Sequence, residues 1–114
     1  MEYQVKVAAP AEADAYAIYE YLQVQAPAHA ERWLGGLFEK IQSLRFLPGR
    51  CPLITEAEDL QREIRQVVYG RRSGAHRILF DIQEGAEGGP TVRVLRIWHG
   101  ARDRIQREDL QASE

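Results

Sequence analysis

His76-Arg77-Ile78-Leu79-Phe80-Asp81-Ile82 is the stretch whose reading decides the fold. Ile78, Phe80 and Ile82 recur at period two, which puts them on one face of a β-strand. Polar turns bound it: Gly70-Arg71-Arg72-Ser73-Gly74 before, and residues 84–90, with three glycines, after. Beyond each turn lies another run rich in β-branched and aromatic residues, at 64–69 and at 91–98. Connections this short join antiparallel neighbours, so the second half of the chain predicts a three-stranded meander.

Working outward, Tyr3, Val5 and Val7 alternate with polar residues and predict an opening strand. Pro10 sits where its fixed φ suits a first helical turn. Residues 11–25 follow as a helix, with Ala15, Ile18, Tyr19 and Leu22 forming one apolar stripe. Pro27 interrupts the pattern and starts a second helix, to about residue 46, carried by Trp33, Leu34, Leu37, Phe38, Ile41 and Leu44. Trp33 and Phe38 are core candidates. Gly35 and Gly36 weaken that helix by up to ~1 kcal/mol each relative to Ala, and the expected gain is close approach to the first helix. Residues 47–61 read as a loop, with Pro48-Gly49, Cys51-Pro52 and an acidic run at Glu56, Glu58 and Asp59. Residues 101–110 form a short helix or a tail. The prediction is one α+β domain over residues 1–114, with its core at about 2–105. It has two layers: a mainly antiparallel sheet with a helical hairpin on one face, in the order β-α-α-β-β-β.

With 114 residues and 45% hydrophobic content, one core is expected, and any active site should be a shallow surface rather than a deep cavity. No apolar run reaches the roughly 18 residues of a membrane helix, and the first residues lack a signal-peptide pattern. Cys51 is the only cysteine, so no internal disulfide can form, and a cytoplasmic location is expected. No Cys-His pair has zinc spacing and no P-loop is present, so neither metal nor cofactor is expected. The net charge of −2 hides an asymmetry: residues 62–107 carry ten arginines, no lysine and five carboxylates. Arginine's planar fork suits phosphate and carboxylate. That block could face nucleic acid or an acidic partner, or could equally be a sheet face with ordinary ion pairs.

Three segments carry a family resemblance. Glu63-Ile64-Arg65-Gln66-Val67-Val68-Tyr69-Gly70-Arg71-Arg72 resembles the second strand and basic turn of RelE/ParE toxins, the toxin halves of type II toxin–antitoxin modules. Residues 76–82 resemble their next strand. Val92-Arg93-Val94-Leu95-Arg96-Ile97-Trp98-His99-Gly100-Ala101-Arg102-Asp103 resembles the last strand, with its terminal His-x-x-Arg. Cys51-Pro52-Leu53 resembles a branch known as plasmid stabilisation proteins. The resemblance implies a cytoplasmic toxin of bacteria that inhibits growth until a cognate antitoxin neutralises it. The target is implied only as a choice: DNA gyrase, inhibited by binding, as for ParE-like members, or messenger RNA cut on the ribosome, as for RelE-like members. A relic that only binds its antitoxin is a third reading.

For the ribonuclease reading, the resemblance assigns Arg77 to the phosphate and His99 to general acid catalysis. The chemistry needs a base for the 2′-hydroxyl, cations for the gathering charge and an acid for the leaving oxygen. The competing structural roles are an ion pair for Arg77, for instance with Asp81, and a satisfied strand-end residue for His99. A general base does not follow from spacing; Glu56, Glu58 and Glu63 qualify only by proximity in the chain. Gly100 stands where some ribonuclease members carry an aromatic residue, and the chain has only Lys6 and Lys40 as lysines. Gyrase binding requires no catalytic set and agrees with those absences. Arg65, Arg71, Arg72, Arg93, Arg96 and Arg102 are the candidates for gripping phosphate or a partner's carboxylates. The antitoxin is expected to use an acidic or amphipathic segment against the arginine-rich sheet and an apolar groove of the helical hairpin. His76 should point away from Arg77, His29 should be exposed, and Trp98 could be core or could border a partner.

Overall fold

The structure, a computed structural model, describes residues 2–71, 74–100 and 104–113. Strand β1 (Gln4–Val7) leads into helices α1 (Ala9–Gln25) and α2 (Pro27–Gln42). After a short helix α3 (Ala57–Leu60) come strands β2 (Arg65–Tyr69), β3 (His76–Gln83) and β4 (Thr91–His99), and a 3-10 segment covers Arg107–Ser113. The sheet order is β1-β4-β3-β2. β1 runs parallel to β4, and the other two pairings are antiparallel. The expected β-α-α-β-β-β order is the one observed, with α3 added.

Prolines set the helical hairpin. Pro10 and Pro27 each lie in the first turn of a helix. Ala26, held out of the helical region before Pro27 (φ −159°, ψ 82°), closes one helix and opens the next. Its N–H donates to the Leu22 carbonyl at 2.7 Å, and its own carbonyl accepts from the Ala30 N–H at 3.0 Å. Tyr19 then ties the two helices together by donating to Glu31 Oε1 at 2.5 Å. α2 ends at Gln42 rather than near residue 46, because the chain tightens into a 3-10 turn over Ser43–Arg45.

The sheet is covered on both faces. On one, Ile78, Phe80, Val92, Val94 and Ile97 pack against Ala11, Ala15, Trp33, Leu37, Ile41 and Leu44. On the other, Leu79, Leu95 and Trp98 meet Ile54, Ala57, Leu60, Ile64, Ile105 and Leu110. Successive strand residues alternate between the two clusters, and a register shift between Leu79 and Phe80, opposite Leu95, moves that alternation by one residue, so that both Val94 and Ile97 face the helices. The segment expected as an acidic loop therefore supplies a second apolar layer, over the sheet face that carries Arg77. Trp98 is core at 3% exposure, whereas Phe38, a core candidate from the sequence, is 42% exposed.

The helical glycines correct another expectation. Nothing lies within 4 Å of where a Cβ on Gly35 would stand. A Cβ on Gly36 would lie 2.2 Å from the Tyr69 hydroxyl oxygen, so the close approach is to β2 and not to α1. That hydroxyl donates to the Trp33 carbonyl at 2.8 Å. Gly36→Ala should lower the unfolding free energy by about 2 kcal/mol, as overpacking does, measured by urea denaturation. Tyr69→Phe in the same chain should recover part of it, since the clash is with the hydroxyl.

Candidate functional site

The arginines of the second half are mostly committed inside the protein. Arg93 grips Asp81 with two bonds, of 3.0 and 2.6 Å, and Arg62 joins the same carboxylate at 3.4 Å. Arg96 grips Asp14 of α1 with bonds of 2.8 and 2.9 Å and also donates to the Asp109 carbonyl. Arg65 donates to the Cys51 carbonyl at 2.6 Å and so fastens the 47–53 loop to β2. Arg77 donates to Gln66 at 2.6 Å and to both oxygens of Glu56 at 3.2 and 3.3 Å. Its partner is thus Glu56, not Asp81. Arg71 is exposed, and Arg72 and Arg102 lie outside the described residues.

Glu56 is 3% exposed. Burial alone would raise its pKa, but the Arg77 guanidinium, the Ile105 N–H and its own backbone N–H outweigh burial and bring it down to about 2. A carboxylate so weakly basic is ill suited to removing a proton from a hydroxyl near neutral pH.

Arg77 and His99 do not meet. On the β3–β4 ladder Arg77 stands opposite Trp98, and His76 stands opposite His99. Residues directly opposite share a face and successive residues alternate, so Arg77 faces the second layer while His99 shares the helical face with His76. The His76 and His99 rings meet edge-on at 5.4 Å, and His76 meets Trp33 at the same distance. Gly100 fits its place closely: a Cβ there would stand 3.2 Å from the Ala75 carbonyl oxygen.

These histidines border an open groove of about 480 Å³. Ala17, Ile18, Tyr21 and Leu22 of α1 form one wall, Trp33 and His29 of α2 another, and His76, His99 and Gly74 close the end. All three histidines of the chain therefore line one surface. Burial, and then His99, hold the His76 imidazole below its ordinary pKa. α1 also exposes Tyr16, Tyr21 and Val24 to solvent. Through His29, Trp33 and Gly74 the groove runs into a second cleft, of about 360 Å³, which carries Arg32, Tyr69 and Arg71. Among the described residues no three His, Cys, Asp or Glu side chains are arranged to hold a metal ion. Among the same residues, no helix is long and apolar enough to cross a membrane.

The sequence leads to an apolar groove on the helical hairpin but not to its histidine end, since His29 reads there as merely exposed and His76 only as pointing away from Arg77. The available signal was the hairpin register, which makes the first residue of β3 and the last of β4 neighbours.

The model of the family described as ParE toxin of type II toxin-antitoxin system, parDE, matches residues 5–104, and the chain belongs to that family. A chain of the chromosomal ParDE TA system from P. aeruginosa has the same fold, with a TM-score of 0.64 and 18% identity. The alignment covers 86% of this chain and 96% of that one. No curated protein matches the sequence.

Proposed function

We propose that the chain is a cytoplasmic toxin that arrests growth by binding DNA gyrase, and that its antitoxin neutralises it by docking in the groove between α1, α2 and the ends of β3 and β4. The observation carrying the gyrase reading is the placement of Arg77 and His99 on opposite faces of the sheet, with Arg77 held by Glu56 and Gln66. Phosphate ligand and proton donor must converge on one scissile bond for RNA cleavage, and these two do not converge. Inhibition by binding needs no such convergence. The antitoxin reading rests on family membership together with an apolar groove flanked by exposed aromatic residues, the kind of surface that takes an amphipathic segment.

The test is induction in a bacterium lacking the antitoxin, with pulse labelling of DNA and protein synthesis in the same culture. DNA synthesis should fall first, and His99→Ala should arrest growth as the parent does. Protein synthesis falling first, together with loss of arrest in His99→Ala, would move the reading to RNA cleavage. If neither fell, the chain would be a relic that only binds its antitoxin.

The groove is tested separately. Ala17 is exposed on the α1 wall, so Ala17→Arg should fill the groove without disturbing the core. We expect it to weaken antitoxin binding by about 2 kcal/mol or more, the scale of a central interface residue. Co-expressed antitoxin would then rescue growth poorly, while toxicity without antitoxin is kept.

A further inference from the structure

We propose that the end of the groove at His76 and His99 receives a carboxylate carried by an otherwise apolar partner segment, and that docking takes up a proton. The identity of that segment rests on the antitoxin reading above; the chemistry of the site rests on the groove itself.

The first observation is an orphaned polar atom. His76 is 8% exposed, and its Nδ1 is buried with no hydrogen-bond partner among the described residues. Buried polar groups are almost always paired, so an unpaired one at the lip of a groove points to a ligand that pairs it. The second is the charge pattern. Imidazoles supply the hydrogen-bonding groups at this end of the groove, and no described carboxylate lines it. Arg32 and Arg71 border the adjoining cleft and make no ion pair with a described residue. In contrast, Arg62, Arg77, Arg93 and Arg96 are all consumed by Asp81, Glu56 and Asp14. Arg32 and Arg71 therefore continue a path that starts at the histidine end of the groove. The walls select apolar groups, and the end selects an anion.

The groups facing His76 fix the direction of the pH effect. β4 contributes His99, and β2 contributes Tyr69 directly opposite in register. α2 contributes Trp33 and, along the groove, His29; α1 contributes Tyr21. Arg32 and Arg71 lie in the cleft beyond. Glu39 acts on Tyr69, and Glu31 is engaged by Tyr19 and Gln23. Burial, and then the neighbouring His99, make the free site resist protonation of His76. An arriving carboxylate pairs the orphaned His76 imidazole and favours its charged form, so the bound state holds a proton that the free state does not. By linkage, affinity rises as pH falls through the histidine range, approaching tenfold per pH unit for one proton taken up.

The experiment uses the full chain with two small probes of the same shape, 4-phenylbutyrate and 4-phenylbutanamide, followed by the histidine ring signals in NMR. The acid should move the His76 and His99 signals and bind about tenfold more tightly at about pH 6 than at about pH 7. The amide should bind with no such dependence. His99→Gln and His76→Gln should flatten the acid's pH dependence while keeping amide binding; if either variant misfolds, the comparison of acid and amide on the parent chain decides alone. Equal, pH-independent binding of both probes would overturn the carboxylate and leave the groove standing. Failure of both to move the ring signals would overturn the site itself. The probes need no antitoxin, so either failure is separate from failure of the antitoxin reading, which the Ala17→Arg rescue experiment judges.

Discussion

Glu56→Ala should be the most damaging single change in the second layer, lowering the unfolding free energy by about 4 kcal/mol. Glu56 joins three pieces of chain distant in sequence: its own segment before α3, β3 through Arg77, and the C-terminal segment through the Ile105 N–H at 3.2 Å. Removing the carboxylate leaves the Arg77 charge, whose side chain is 16% exposed, without its counter-ion and the Ile105 N–H without its acceptor. Chemical denaturation measures the loss. The double variant Glu56→Leu, Arg77→Met should lose much less, because it leaves no uncompensated charge behind. A fall as small in Glu56→Ala as in the double variant would remove the electrostatic account.

The same pair predicts an acid limit. The folded carboxyl, near 2, binds its proton more weakly than the unfolded one near 4.5. Its contribution is therefore fully present above about pH 4.5 and is lost as pH falls from there toward about 2, amounting to roughly 3 kcal/mol in all. Thermal melts across that window should show the descent in the parent chain and a shallower one in the double variant.

Asp14→Ala should cost about 3 kcal/mol by the same denaturation measurement. Asp14 accepts two bonds from Arg96 and a third from the Ile97 N–H at 2.9 Å. β1 pairs with β4 only as far as Val94. Beyond that point the strand edge would be open, and Asp14 is what α1 sets against it. Asp14→Asn keeps an acceptor for the Ile97 N–H and should lose only about half as much. Equal losses for Ala and Asn would mean that the Arg96 charge pair, and not the strand edge, carries the effect.

Both residues show where sequence reading stops. Period-two patterns at Ile78-Phe80-Ile82 and Tyr3-Val5-Val7, and the prolines at 10 and 27, marked the strands and the hairpin because their signals are local. Family membership was legible from the strand motifs for the same reason. The second layer was not. Its residues Ile54, Ala57, Leu60 and Ile64 surround a helix of four residues, too short to display a period, and the acidic run at Glu56, Glu58 and Asp59 made it look like a solvated loop. Nor could the sequence distinguish an arginine offered to a partner from one already engaged, since Arg96 meets a carboxylate 82 positions away. Arg77 and His99 were paired as catalysts because family motifs name residues without their faces; the ladder then set them on opposite sides. The histidine groove needed residues at 29, 76 and 99 to be brought together by three separate elements, which no local pattern records.

The parallel pairing of β1 with β4 has a bearing on synthesis. The first strand made finds its neighbour only in the last one, so a chain leaving the ribosome cannot close its sheet until residue 99 has emerged. The α1–α2 hairpin can form early, but Asp14 and the helix-facing core wait for β4. Chains that end before β4, from message fragments or stalled translation, have no partner for β1 and no strand to carry the His99 end of the groove, so the groove exists only once β4 has been made.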